Sequence, residues 1–398
     1  VNSTMFSAFR HRDYRLYYFG QGLSLIGSWM QTTALAWLAF QLTGQSSWSA
    51  AVAVGMILPT ALLAPVAGLL ADRMSKKQLI LWTQSAFAMQ ATGLACYGLW
   101  GHATPMGLVL FAWLGGVVQA VDLPTRLSFL KELTSLEDLP NAVALNSVQF
   151  NLARALGPAL AGWIMSIADP ALCFAINAFS YLAVLGCLAS IRARGEPIAK
   201  GAGDRGNMEL LTALKRQPTL AGLIALAAGV ALFGWPLLSL LPQVASVGLG
   251  WQAEGHGWLL SALGAGAMLS ALAIAAWGQP DNLWWRLRLG LLLLAVGELV
   301  LAWVARAGDG PLIGGLAGST LAGMGLILVL ASAQGAVQQQ VDDAIRGRMM
   351  ALWTMGLSTA SPIGSVLFGP LADWAGHSAA LLVMAIGVLG LLSTCLKR

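Results

Sequence analysis

The basic residues of this 398-residue chain are confined to alternate gaps between long apolar stretches. Nineteen of its 22 Lys and Arg fall in every second gap: Arg10, Arg12 and Arg15; Arg73, Lys76 and Lys77; Lys131; six residues from Arg192 to Arg216; Arg286 and Arg288; Arg346 and Arg348; Lys397 and Arg398. Arg306 alone lies in one of the other gaps, while Arg126 and Arg154 lie inside apolar stretches. Positive residues near the ends of spans stay on the cytoplasmic side during insertion, so the alternation predicts twelve crossings with both termini in the cytoplasm.

Each crossing needs about 20 apolar residues to traverse roughly 30 Å of hydrocarbon. Such stretches are read at 14–42, 48–72, 78–100, 106–130, 140–167, 171–191, 219–247, 256–278, 286–304, 312–338, 347–374 and 378–396. The fold class this predicts is an all-α membrane protein of twelve transmembrane helices, with little chain left for a soluble domain. Composition agrees: 57% of residues are apolar and 10% charged, against roughly 25% charged in soluble domains. The net charge of +5 is spread over short loops, a topogenic pattern rather than a nucleic-acid footprint. Cys96, Cys173, Cys187 and Cys395 are dispersed, and no two of His11, His102, His256 and His377 have ligand spacing. Neither a metal site nor a cofactor is expected.

The longest polar stretch, 192–217, is rich in glycine and mixed charge and reads as a linker between two halves, 1–191 and 218–398. An offset of 207 residues superposes them: LKELTSLEDLPNAVAL from Leu130 lies over VQQQVDDAIRGRMMAL from Val337, and Gly27, Gly157 and Gly162 fall on Gly234, Gly364 and Gly369. Duplication of six spans is the mark of a parallel-repeat transporter. Glycines at matching depths predict matching close helix contacts.

Gly68-Leu-Leu-Ala-Asp72-Arg73-Met-Ser-Lys76-Lys77, between the second and third spans, resembles the loop motif of the major facilitator superfamily. The resemblance extends over essentially the whole chain and implies two pseudo-equivalent six-helix bundles. In that family the acid, here Asp72, faces the positive N-terminal end of helix 11, here near Arg348, and latches the halves on the cytoplasmic side. Arg154-Ala-Leu-Gly157-Pro158-Ala-Leu-Ala-Gly162 resembles the exporter motif of helix 5, with Ala153 and Arg154 where a glycine usually precedes it. A finer resemblance, to siderophore exporters of the enterobactin type and macrolide-efflux-like pumps, rests on four segments. They are Phe9-Arg-His-Arg-Asp13-Tyr14-Arg15, Gly27-Ser-Trp29-Met-Gln31, Asn141-Ala-Val-Ala-Leu-Asn146-Ser with Asn151 and Arg154, and Arg346-Gly-Arg348-Met.

Ionisable groups inside spans cost about 2.5–3.5 kcal/mol each and are functional candidates by default. Here they are Asp122, Arg126, Arg154 and Glu298. Gln119, Asp122 and Arg126 share a face of helix 4, and Ser147, Asn151, Arg154 and Pro158 share one of helix 5. Counting from the turn between them predicts an Asp122–Arg154 pair, with Arg126 at the cytoplasmic mouth. Such a pair either neutralises two charges permanently or, if wetted in one state only, couples protons to conformation. Glu298, mid-helix 9, is a second proton candidate. The family resemblance places the substrate path among helices 1, 4, 7 and 10; Gln21, Ser28, Gln31, Gln119, Arg126, Trp235, Gln243 and Gln334 are the expected lining, joined by Asn151 of helix 5 and Trp353 of helix 11. Any of them can instead bond between helices.

The expectation is a secondary transporter rather than an enzyme: a proton-coupled, monomeric exporter of a siderophore or similar amphiphilic small molecule across the bacterial inner membrane. Multidrug or macrolide efflux is the near alternative; import and lipid movement are further ones.

Overall fold

A computed structural model describes residues 6–193, 217–277, 282–306, 310–341 and 343–396, leaving aside the side chains of 64–69, 71–73, 275, 277, 343, 344 and 347. Every regular element among these residues is helical. A 3-10 turn, Ser7–Arg10, leads into α1 (Arg12–Thr43), α2 (Ser46–Arg73), α3 (Lys76–Leu99), α4 (Pro105–Leu133), α5 (Leu139–Ile167) and α6 (Ala171–Ser190). Next comes α7 in three pieces, Pro218–Gly234, Leu237–Gln243 and a π turn Val244–Gly248. The chain ends with α8 (Ala253–Trp277), α9 (Leu283–Val304), α10 (Leu312–Gln340), α11 (Asp343–Ala375) and α12 (His377–Leu396).

Eight of these are long and apolar enough to cross a membrane; α1, α3, α5 and α11 are as long but more polar. Their boundaries follow local chemistry. Thr104 Oγ accepts from Gly107 N ahead of Pro105, the residue best suited to a first helical turn. Gly44 ends α1 at φ 67°, where its N–H reaches Phe40 O. Turns this short force neighbours to run antiparallel. The described ends Phe6 and Leu396 therefore share one side of the bundle, the termini face; the opposite side is the far face.

Packing repeats between α1–α6 and α7–α12. The pairs α1·α5, α1·α6, α2·α4, α3·α4 and α3·α6 recur as α7·α11, α7·α12, α8·α10, α9·α10 and α9·α12. Across the middle α5 packs on α8 and α2 on α11, each contact being the other's pseudo-symmetry mate. Glycines set the closest approaches. A Cβ on Gly157 would lie 2.9 Å from Ile26 O, and one on Gly364 would lie 2.2 Å from Leu232 O, so α5 on α1 matches α11 on α7. Gly27 and Gly234 break the match, facing Asn177 on α6 in one half and Leu294 and Leu326 in the other.

Candidate functional site

The far face is sealed between the halves. A Cβ on Gly162 of α5 would lie 2.9 Å from Gly257 Cα of α8, and one on Gly369 of α11 would lie 2.8 Å from Ala50 Cβ of α2. Gly162 and Gly369, like Ala50 and Gly257, are the same 207 residues apart, so the two contacts are one contact repeated. Asp373 of α11 accepts from Ser46 N (2.6 Å) and Ser47 N (3.0 Å), capping α2 from the other half. Ser46 Oγ donates to Gln243 Oε1 of α7 (2.8 Å). Beside these the ring of His256 on α8, fully buried, stacks on Trp37 of α1 at 5.9 Å between centroids.

Towards the termini face the interface opens. Val143, Ser147, Phe150, Arg154, Pro158 and Ala161 share one face of α5 by their spacing. At the far end that face is covered: Ala161 is fully buried and Arg154 is 5% exposed, with Gly264 of α8 against the Arg154 backbone. One turn nearer the termini it is bare, Phe150 being 44% exposed and Ser147 exposed as well. On α11, Thr354 is exposed while Ser361, Ser365 and Phe368 are buried, the same gradient on the mate helix. A vestibule therefore narrows from the termini face to an apex at Arg154.

The charged groups pair differently from the sequence expectation. Asp122 contacts Arg126 of its own helix (Oδ2 to Nε 2.5 Å), with the N–H out of line for a hydrogen bond, rather than Arg154. One helical turn brings i and i+4 together without help from another helix. Asp122 Oδ1 also accepts from Thr83 Oγ (2.7 Å) and Gln84 Nε2 (2.9 Å) of α3. Arg126 is thus drawn into the bundle beside Tyr17, not placed at the mouth. Arg154 Nε and Nη2 have no hydrogen-bond partner among the described residues, and its Cζ lies 5.9 Å from the Trp29 ring centroid.

Much of the expected lining serves as glue within the first six helices. Gln31 donates to Gln90 Oε1 (2.9 Å) and accepts from Asn177 Nδ2 (2.9 Å); Ser28 bonds Ser24 O (2.8 Å) and the Tyr181 hydroxyl (3.0 Å). Gln21 is buried, and Trp353 is buried in the core of α7–α12. Asn151 donates to Ser147 O (2.9 Å) along the open face of α5, and Gln119, Trp235 and Gln334 are half-buried. Trp235 sits where α7 breaks ahead of Pro236. Glu298 is fully buried on α9, and neither of its oxygens has a partner among the described residues.

The side chains of Asp72 and Arg73, the Cβ space around Gly68, and the linker core 194–216 lie outside the description. Arg348 is half-buried on α11. Lys76 is committed to Glu132, and Lys77 donates to Ile191 O (2.5 Å), so both bases bind within the first half. Sequence reasoning missed Asp373 and Thr83. A signal for the first existed: Gly369-Pro-Leu-Ala-Asp373 repeats the glycine-to-acid spacing of Gly68 to Asp72. Among the described residues no three His, Cys, Asp or Glu gather at metal-binding distance.

Two mated six-helix sets sealed at one face and open at the other define a transporter of the major facilitator type. The chain belongs to the transmembrane secretion effector family of that superfamily, which it matches over residues 3–397. It is 29% identical over 387 residues to the uncharacterized MFS-type transporter YfiS of Bacillus subtilis, covering 91% of this chain and 87% of that one. It is 29% identical over 176 residues to the staphyloferrin A transporter of Staphylococcus aureus, covering 43% of this chain and 44% of that one. The enterobactin exporter EntS of Shigella flexneri is 25% identical over 405 residues, 96% of this chain and 92% of its own. Among solved structures the nucleoside transporter NupG superposes with a TM-score of 0.74 at 12% identity, covering 97% of this chain and 98% of that one; this likeness concerns the fold alone.

Proposed function

We propose that this protein is a proton-coupled exporter of a siderophore or similar amphiphilic metabolite across the bacterial inner membrane. In this reading the termini face is cytoplasmic, the far face extracellular, and the monomer alternates access by rocking residues 1–191 against 218–398 about the 192–217 linker. The observation that carries it is the gradient along α5: one inter-half face, shut at the far end and bare at the other. Opening the far seal and closing the vestibule exchanges which end is wet. Packing Gly157 against α1 while Gly162 meets α8 makes α5 the lever of that exchange.

Asp122 is the proposed proton carrier. Its carboxylate is held by Thr83, Gln84 and Arg126. Adding a proton removes the charge that holds Arg126, so the two protonation states favour different arrangements of α3 and α4. Arg154 and Glu298 remain candidates for the same pathway. The relatives named for staphyloferrin A and enterobactin support a siderophore as cargo. In a strain lacking its own exporters, expression is expected to restore release of an isotope-labelled siderophore and to confer no drug resistance. Resistance without release moves the assignment to multidrug efflux, accumulation inside the cell moves it to import, and gradient-independent lipid movement in liposomes moves it to lipid transport.

A further inference from the structure

Among the described residues Arg154 is a buried cation without a counter-charge. Within the bundle α4 neutralises itself through Asp122 and Arg126. Apart from that pair, the helices around α5 supply no acid at the level of Arg154: α1 has no ionisable residue after Tyr18, and α7 and α10 have none at all. On α8 the ionisable residues are Glu254 and His256, at the far-face end; α11 has none between Arg348 and Asp373. Glu298 lies on α9, which packs on α10 and α12. Arg154 is 5% exposed and its Nε and Nη2 have no partner among the described residues, which leaves the guanidinium with a large unmet demand for an acceptor.

Its surroundings have the parts of a binding site. Arg154 sits at the apex of the vestibule, where α5 passes from bare to sealed. The Trp29 ring lies beside the guanidinium, and Phe150 meets Trp29 edge-on at 5.8 Å. Ser147 and Asn151 line the approach on the same face. A guanidinium binds carboxylate through paired N–H donors, and the aromatic pair accepts apolar or aromatic surface.

We propose that Arg154, with Trp29 and Phe150, binds the carboxylate end of an amphiphilic organic anion, which is the transported substrate. The inference rests on the transporter reading and adds the charge and the anchoring residue. Binding supplies the acceptor that the resting protein lacks, so the loaded apex is neutral when the vestibule closes over it. A cationic substrate would meet an uncompensated like charge at the same point.

The test uses the purified full chain in nanodiscs with three probes: naphthylacetate, its neutral methyl ester, and ethidium. Wild type is expected to bind the acid about tenfold to a hundredfold more tightly than the ester, as charge-assisted hydrogen bonds allow. Arg154→Gln is expected to bring acid and ester to equal affinity while leaving the ester unchanged, and Arg154→Lys to keep part of the preference. Equal affinity for acid and ester in wild type, a wild-type preference for ethidium, or an Arg154→Gln variant that keeps the wild-type ratio overturns the proposal. The wild-type ratio needs no variant to fold. In proteoliposomes, concentrative transport of acid and ester alike marks failure of the anion site alone, whereas no concentrative transport of any probe marks failure of the transporter reading.

Discussion

Replacing Gly257 with Ala tests the far-face seal directly. The added Cβ would lie 2.6 Å from both Gly162 Cα and Pro158 O, and 2.8 Å from Gly162 N. All three are backbone atoms of α5, so no side chain can swing away and the helices must part. Because those atoms belong to the other half, the packing within each half is untouched. Overpacking of this kind costs about 1–3 kcal/mol, charged to the sealed state alone, which shifts the equilibrium towards a far-open state by about 5- to 150-fold. Ser261 of α8, one turn beneath Gly257 and with its hydroxyl buried, reports the change when replaced by Cys in a background without Cys96, Cys173, Cys187 and Cys395. Its labelling by an impermeant maleimide from outside is expected to accelerate by that factor. Gly186→Ala, where an added Cβ meets nothing within 4 Å, is the control. Unchanged labelling in Gly257→Ala, or equal acceleration in Gly186→Ala, refutes the reasoning.

Other outcomes follow from individual contacts. Either Asp122→Asn or Arg126→Gln leaves one buried member of a close pair alone and is expected to lose about 3–5 kcal/mol, whereas the double variant recovers most of it; additive losses in thermal unfolding would contradict the pairing. Asp373→Ala removes both caps from α2 and is expected to cost the seal about 1–2 kcal/mol, widening spin-label distances between the far ends of α2 and α11; an unchanged distance distribution counts against that role. At the termini face, hydrogen bonds from Ser7 and His11 hold the Asp138 carboxyl below its ordinary range. A lowered carboxyl contributes fully above the unfolded value of about 3.9 and loses its contribution as pH falls through the lowered one. The amide protection factors of residues 7–10 are therefore expected to hold from pH 7 to 5 and to fall below about pH 4; a fall already at pH 5 assigns the contact to another group.

The helix order and the matched halves were legible because their causes are repetitive: span length, alternating basic gaps, and glycines 207 residues apart that meet matching backbone. The site was less legible because its outcome depends on rotation about each helix. Depth along α4 and α5 was enough to bring Asp122 and Arg154 level, but Asp122 turns towards Thr83 and Gln84 on α3, and Arg154 towards Trp29 on α1. Likewise Ser28 and Gln31 lie on one stripe of α1, yet that stripe faces α3 and α6. Gln243, expected along the path, closes the far face through Ser46, a contact between residues 197 apart that no local pattern encodes.

Proton-driven export is the central claim, and everted membrane vesicles measure it most directly, since their lumen corresponds to the outside of the cell. With the lumen acid, labelled siderophore is expected to accumulate inside, to leave when a protonophore collapses the gradient, and not to accumulate with Asp122→Asn although that protein is present in the membrane. Accumulation that survives the protonophore, or that Asp122→Asn performs at the wild-type rate, contradicts the account.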